Sequence, residues 1–378
     1  MSTIMMVESV FFGSSRKAKD NKLITTPEVS ENQAHQDNCM VIALQKEIQE
    51  RLENEVEAKV ICLPICEEPR STRWMFEGKG DSLFVNDSIS VHHFTNAKGE
   101  ITRRVVILYP MTFNRRGELP KFQFLNKLDR KLREQKDNAL ELVDLRDFEK
   151  QDKILEGLGA LNFSYNGEFV YMALSGRSNV EVLDVVCSRD NLNIPENKRF
   201  VFTAVLPRHP KEDEMEAGED VLCHTSLAGW CGKGICAWGF SCLRFATEEE
   251  QEAFYHHLEV TYKKIINLSE KEIRAFAGNA YELAMRKGGE ERRVLCISES
   301  AFKSLSYRNA NAFEEWYGRE NIFIFYADVL ERRTGKSIRS LISVPVTHGK
   351  VLPISSEKSA MELARVDEKD APSALLRR

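Results

Sequence analysis

The 378-residue chain has a net charge of −5, with 42% hydrophobic and 29% charged residues. This is the composition of a globular protein long enough for one large domain or two ordinary ones. The acidic balance argues against nucleic acid as a bulk partner, because phosphate binding needs a surplus of base. No window approaches about eighteen uncharged apolar residues, so no membrane span is expected.

Residues 3–12 read as a first strand and residues 13–31 as a polar loop. Met40, Ile42, Ala43, Ile48 and Leu52 carry helical spacing over 38–54, and Val60-Ile61-Cys62-Leu63 is a short buried strand. Residues 81–91 read as strand plus loop after Gly78 and Gly80. Thr102–Tyr109 is a strand rich in β-branched residues that stops at Pro110. Residues 119–136 are a charged amphipathic helix and 140–145 a strand. Asn162–Leu174 alternates about an Asn166-Gly167 hairpin turn. A helix over 180–187, a strand over 200–206 and an acidic loop over 208–220 follow. Helices are expected at 248–262 and 270–277, and strands at 264–268, 293–297 and 322–326.

Strand pairs alternating with single helices recur, and no linker separates two halves. Residues 1–350 therefore read as a single α/β domain, and residues 351–378 as a polar, mobile tail. The nine cysteines are odd in number and show no disulfide framework. The amino terminus lacks a basic stretch ahead of its short apolar run. Reduced thiols in a cytoplasmic location are the expectation.

His224 stands in an apolar run from Val221 to Leu243. A buried imidazole needs partners for its ring nitrogens, so it is either a satisfied core residue or an acid/base group at a strand end. Cys223, Cys231, Cys236 and Cys242 lie nearby, with seven, four and five residues between them. Paired zinc ligands favour about two to four, and alternation makes these cysteines ordinary core residues, so no metal is expected. Carboxylates offer more. Glu156 sits in the glycine-bracketed turn Leu155-Glu156-Gly157-Leu158-Gly159, and Asp87 closes Phe84-Val85-Asn86-Asp87. Two converging carboxylates can clamp a planar guanidinium through paired N–H bonds. Taken singly, each is also a plain turn or capping residue.

The order of these pieces resembles the guanidino-group-modifying superfamily, the penteins, which includes arginine deiminases, dimethylarginine hydrolases and amidinotransferases. The pieces are Asp81-Ser82-Leu83-Phe84-Val85-Asn86-Asp87, Tyr109-Pro110-Met111, Asn114-Arg115-Arg116, Leu155-Glu156-Gly157-Leu158-Gly159, His224-Thr225-Ser226 and Ala275-Phe276-Ala277-Gly278-Asn279. The chain looks closest to bacterial amidinotransferase-like proteins associated with citrulline use. The resemblance implies an α/β propeller of five ββαβ units around a pseudo-fivefold axis. It implies a guanidino ligand such as arginine, no cofactor, and attack by a cysteine thiolate with histidine as general acid/base. His224, Glu156 and Ser340 take the catalytic positions. Asp81, Asn86, Asp87, Arg116 and Arg177 take the substrate-binding ones. The oligomeric state is left open, with a homodimer among the options.

One departure matters. The family's nucleophile lies in a segment of the form Gly-Gly-Ser-x-Arg-Cys. Here Thr334-Gly335-Lys336-Ser337-Ile338-Arg339-Ser340 keeps Gly335, Ser337 and Arg339 and puts serine at the cysteine position. A hydroxyl gives up its proton far less readily than a thiol of pKa ~8.5. Ser226 likewise stands where arginine deiminases carry aspartate. A natural pseudoenzyme, an introduced cysteine-to-serine change, or a takeover by Cys231 would each account for this. The leading expectation is a guanidino-ligand site with weak or absent hydrolase activity; the alternatives are an active amidinohydrolase of an arginine-like C–N amidine bond, or a non-catalytic interaction protein whose central hole is blocked by Trp230 or Arg333.

Overall fold

Short helices and strands alternate along the computed structural model, which describes residues 3–9, 12, 20–25, 29–63, 79–118, 140–208, 218–287 and 290–349. The sequence-expected helix over 119–136, most of the 208–220 loop and the 351–378 tail lie outside these residues.

One pattern recurs along the chain. A short helix leads into a strand, a second strand returns antiparallel, a connection crosses over, and a third strand pairs parallel with the second. The helix Val85–Ser88 leads into β3 (Ile89–Thr95), which pairs with β4 (Ile101–Leu108), itself parallel to β5 (Leu140–Asp144). The helix Gly157–Ala160 leads into β6 (Leu161–Phe163) and β7 (Val170–Leu174). The helix Val180–Cys187 then crosses to β8 (Arg199–Arg208), which also carries β9 (Gly218–Val221) and β12 (Leu243–Arg244). The helix Thr225–Ala228 leads into β10 (Gly229–Cys231) and β11 (Ile235–Trp238), and the helix Glu248–Thr261 crosses to β13 (Lys264–Asn267). The turn Ala277–Asn279 leads into β14 (Tyr281–Lys287) and β15 (Glu290–Ser298), and helices Glu299–Ser304 and Tyr307–Tyr317 cross to β16 (Ile322–Phe325).

The remaining sheet joins both ends of the described chain. β1 (Thr3–Val7) and β2 (Lys59–Leu63) are parallel across the helix Glu31–Val56. Their antiparallel neighbour is a single bridge from Met5 to Ser343, just past the helix Ile338–Leu341. β17 (Val346–His348) then runs on beside β3. Among the described residues the strands thus form five sheets, a mixed α/β arrangement.

Apolar clusters lie between neighbouring sheets. Trp230, Trp238, Phe202, Phe254 and Phe313 share one cluster. The helix Glu31–Val56 packs Val41, Leu44, Ile48 and Leu52 into another with Ile4, Phe323 and Phe325. The sequence periodicity begins this helix at 38, but Ser30 starts it earlier by accepting the Gln33 amide at 3.3 Å, a cap that apolar spacing cannot register.

The short helices touch one another in a closed cycle: 85–88 against 157–160, then 225–228, 277–279, 338–341, and back to 85–88. Gly278 permits one of these approaches, since a Cβ there would sit 2.1 Å from the Leu227 carbonyl oxygen. Backbone cannot yield as a side chain does, so Gly278→Ala is expected to cost several kcal/mol, on the order of 3 or more. Urea denaturation checks this, and an unchanged midpoint would refute it.

Candidate active site

The closed cycle of short helices gathers residues from distant parts of the chain. The segment read as strand plus loop over 81–91 is a turn (Gly80–Leu83) and a helical turn (Val85–Ser88), with only its last three residues in β3. The Asp87 amide donates to Phe84 O and the Ile89 amide to Val85 O. Asp87 is therefore fully buried on a helix, aimed inward rather than along a sheet. Glu156 sits at the start of the helix Gly157–Ala160, and His224 holds extended backbone just before Thr225–Ala228.

Glu156 is the hub. Its Oε2 accepts from Arg115 Nη1 at 2.6 Å and Arg177 Nη1 at 3.2 Å, and lies 2.9 Å from His224 Nε2. Its Oε1 accepts from the Thr112 hydroxyl at 2.7 Å. Asp87 Oδ2 accepts from Arg115 Nη1 at 2.8 Å and from Lys336 Nζ at 2.6 Å. Lys336 is fully buried, and its ammonium lies 4.4 Å from the centre of the Phe84 ring. Arg115 also forks onto Glu118, with Nε at 3.0 Å and Nη2 at 2.8 Å from Oε2. Asp81 Oδ2 stands 3.8 Å from both Arg115 and Lys336.

Burial alone would push both hub carboxyls up. The Arg115 and Arg177 guanidiniums and His224 outweigh it at Glu156, which is held well below the usual carboxylate range. Lys336, with His224 and Arg115, also outweighs burial at Asp87, whose carboxyl is lowered. Burial lowers His224 against the pull of both carboxylates. Carboxylates outnumber cations here, and the excess settles on Glu118, where burial raises the carboxyl to about 7 despite Arg115.

Asp87 Oδ1 and His224 Nδ1 are among the buried atoms that have no hydrogen-bond partner among the described residues. Both face Gly159, where a Cβ would lie 2.5 Å and 2.8 Å from them. Asp87, Glu156 and His224 bring donor atoms within 4.8 Å of one another, a set able to hold a metal ion. Here Asp87 Oδ2 and Glu156 Oε2 receive guanidinium and ammonium groups.

The other expected residues fall as follows. Arg177 is buried between Glu156 and Asp20, with Nε and Nη2 on the Asp20 carboxylate at 2.6 and 2.8 Å. Asn86 donates to the Arg339 carbonyl at 3.3 Å. Ser340 Oγ is buried and donates to Asn279 Oδ1 at 3.3 Å; Asn279 also takes the Ser337 amide at 2.9 Å and donates to Ser226 O. Arg116 lies outside the cluster. It donates to Glu149 O and Asp152 and lines a surface cavity of about 520 Å³ with Met111, Glu149 and Lys150. Trp230 is core, donating to Ala277 O, and Arg333 pairs with Asp37 at 2.7 Å. The described cysteines are free thiols, and burial raises Cys231 to about 11. No helix among the described residues is long and apolar enough to cross a membrane.

Sequence reasoning named Arg115 only within the Asn114-Arg115-Arg116 piece, gave Glu118 and Thr112 no part, and assigned Lys336 no role. The doublet Arg115-Arg116 offered a signal, but sequence alone does not say which arginine turns inward.

A model of the family described as N,N dimethylarginine dimethylhydrolase, eukaryotic, matches residues 31–344. The chain belongs to this family. Among solved structures it is similar to the unliganded ArgZ, an arginine dihydrolase from the ornithine-ammonia cycle in Cyanobacteria. That match has a TM-score of 0.59 and 14% identity over 93% of this chain and 42% of ArgZ. The N-terminal domain of ArgZ alone, as a cysteine-to-serine mutant bound to substrate, matches at TM-score 0.58 and 13% identity over 93% of this chain and 100% of that domain. Unliganded AgrE matches at TM-score 0.56 and 11% identity, over 94% of this chain and 40% of AgrE. This chain thus spans about two fifths of each full-length relative, and at such identities the likeness is one of fold. No curated protein matches by sequence.

Proposed function

We propose that this protein is a non-hydrolysing member of the dimethylarginine dimethylhydrolase family, whose carboxylate site for a guanidino-type cation is filled by its own side chains. The observation that carries this reading is Lys336. At a position where the superfamily motif has glycine, its buried ammonium sits 2.6 Å from Asp87. Ser340 stands at the nucleophile's position with its hydroxyl directed to Asn279, and no base takes its proton there. His224 and Glu156 are then the remnant of the acid/base pair, and Asp81, Asn86, Asp87 and Arg177 the remnant of the ligand shell. Arg116 belongs to the rim. The five sheets act as the blades of a propeller about a pseudo-fivefold axis, a reading supported by the closed cycle of short helices. The free thiols fit a cytoplasmic location.

The ligand class rests on charge. Two buried carboxylates suit a guanidinium or ammonium, and a solved cysteine-to-serine relative was bound to its substrate. Incubation with L-arginine or dimethylarginine is expected to give no citrulline. Steady turnover by the native chain, lost in His224→Ala, would overturn the proposal. The Lys336→Gly/Ser340→Cys double variant is expected to bind L-arginine at least about tenfold more tightly than the native chain, because the internal competitor is gone.

A further inference from the structure

The filled site has a second self-contact, at its solvent side. Arg177 is 2% exposed; its Nη1 faces inward to Glu156, while Nε and Nη2 hold the Asp20 carboxylate. Asp20 is the exposed member of this chain of charges, with 45% of its side chain accessible. At the inner end, Lys336 holds Asp87. One negative and one positive side chain of the protein thus cap the two ends of the site.

These two caps are tied together. The Asn21 side chain donates to the carbonyls of Thr334 and Gly335 at 2.8 and 3.2 Å, and the Thr25 amide donates to Arg332 O at 3.1 Å. Leu23 is buried in the apolar cluster with Tyr171 and Leu222. Residues 20–25 therefore form a strap bonded to the very turn that carries Lys336. Lifting the strap removes Asp20 from Arg177 and frees the backbone that positions Lys336.

We propose that Asp20 and Lys336 are the two ends of an intramolecular latch, opened by a small molecule that carries both a carboxylate and a cationic side chain. The inference rests on the guanidino-site reading above and adds its regulation. A buried charge stripped of its partner is costly. A ligand that displaces Lys336 alone still leaves Arg177 to Asp20 and keeps the strap in place. A carboxylate alone displaces Asp20 but leaves Lys336 in the site. A ligand with both groups replaces both caps and leaves no buried charge unpaired. Basic amino acids meet this condition; their decarboxylated amines do not.

The test uses the full chain with L-arginine, agmatine (arginine without its carboxylate) and norvaline (no guanidinium), read by amide hydrogen exchange and calorimetry. Arginine is expected to speed exchange in residues 20–25 and 334–337 by at least about fivefold, with agmatine and norvaline giving little change. Asp20→Asn and Asn21→Ala loosen the strap by different routes. Each is expected to tighten arginine binding about tenfold, because less of the protein is held closed. Equal responses to arginine and agmatine, or strap exchange and affinity unmoved in both variants, would overturn the latch. Turnover of arginine by the native chain would overturn the non-hydrolysing reading instead, whatever the strap does.

Discussion

Lowering the pH from 7 to about 4.5 is expected to unfold this protein, with histidine as the main cause. His92, His93, His224, His257 and His348 are all buried, and burial lowers each one, His93, His257 and His348 to about 4. Coulombic repulsion adds to burial at His92, His93 and His348: His348 and His93 act on His92, Arg104 on His93, and Arg103 on His348. His92 Nδ1 and His348 Nε2 stand 2.9 Å apart, so protonating both would place two charges in contact. A base whose folded pKa is depressed contributes stability that is fully present above the unfolded value of 6.5 and is lost as the pH falls towards 4. For His93 and His348 the loss is on the order of 3 kcal/mol each. Against a total stability of about 5–15 kcal/mol, two or three such groups suffice. Glu118 has the opposite sign: its raised carboxyl favours folding at low pH and loses that contribution as the pH rises through about 7. One such group does not offset five histidines. Thermal melts at half-unit pH steps would read the slope, and His348→Asn should flatten it between 6.5 and 4. A slope unchanged in that variant would remove the histidine pair from the explanation.

Glu156→Gln is the substitution expected to hurt most within the charged cluster. The neutral amide keeps the shape but removes the charge that faces Arg115, Arg177 and His224. Both arginines stay buried at 1–2% exposure, with one carboxylate fewer between them. Breaking a buried ion-pair network by removing one partner costs about 3–5 kcal/mol. Arg116→Ala is the contrast: its guanidinium is half-buried among surface acids, and its loss should cost no more than about 1 kcal/mol. Urea midpoints at neutral pH separate the two, and similar losses in both variants would mean the cluster is not the electrostatic centre described here.

The elements that sequence marks well are those whose apolar residues repeat. β4, the 180–187 helix and the Asn166-Gly167 hairpin follow from period and turn chemistry. The short helices were less legible. Val85-Asn86-Asp87-Ser88 has too few residues for a helical period, and its helical turn exists because neighbouring helices pack against it. The hub residues Glu156, Asp87 and His224 were legible because carboxylate and imidazole types carry their chemistry openly. Arg115 and Lys336 were not, because a long cation reads as surface until the fold shows acids around its end. Lys336 lies 249 positions from Asp87 in sequence, a pairing that no local pattern encodes.

The bridge between Met5 and Ser343, with hydrogen bonds of 2.7 and 3.0 Å in each direction, also sets the order of events during synthesis. β1 leaves the ribosome long before its antiparallel neighbour at Ser343. Until then one flank of β1, and the apolar face it shares with Ile338 and Leu341, has no partner. The nascent chain must carry an unpaired strand edge from the emergence of β1 until Ser343 follows, a hazard for aggregation that this bridge removes.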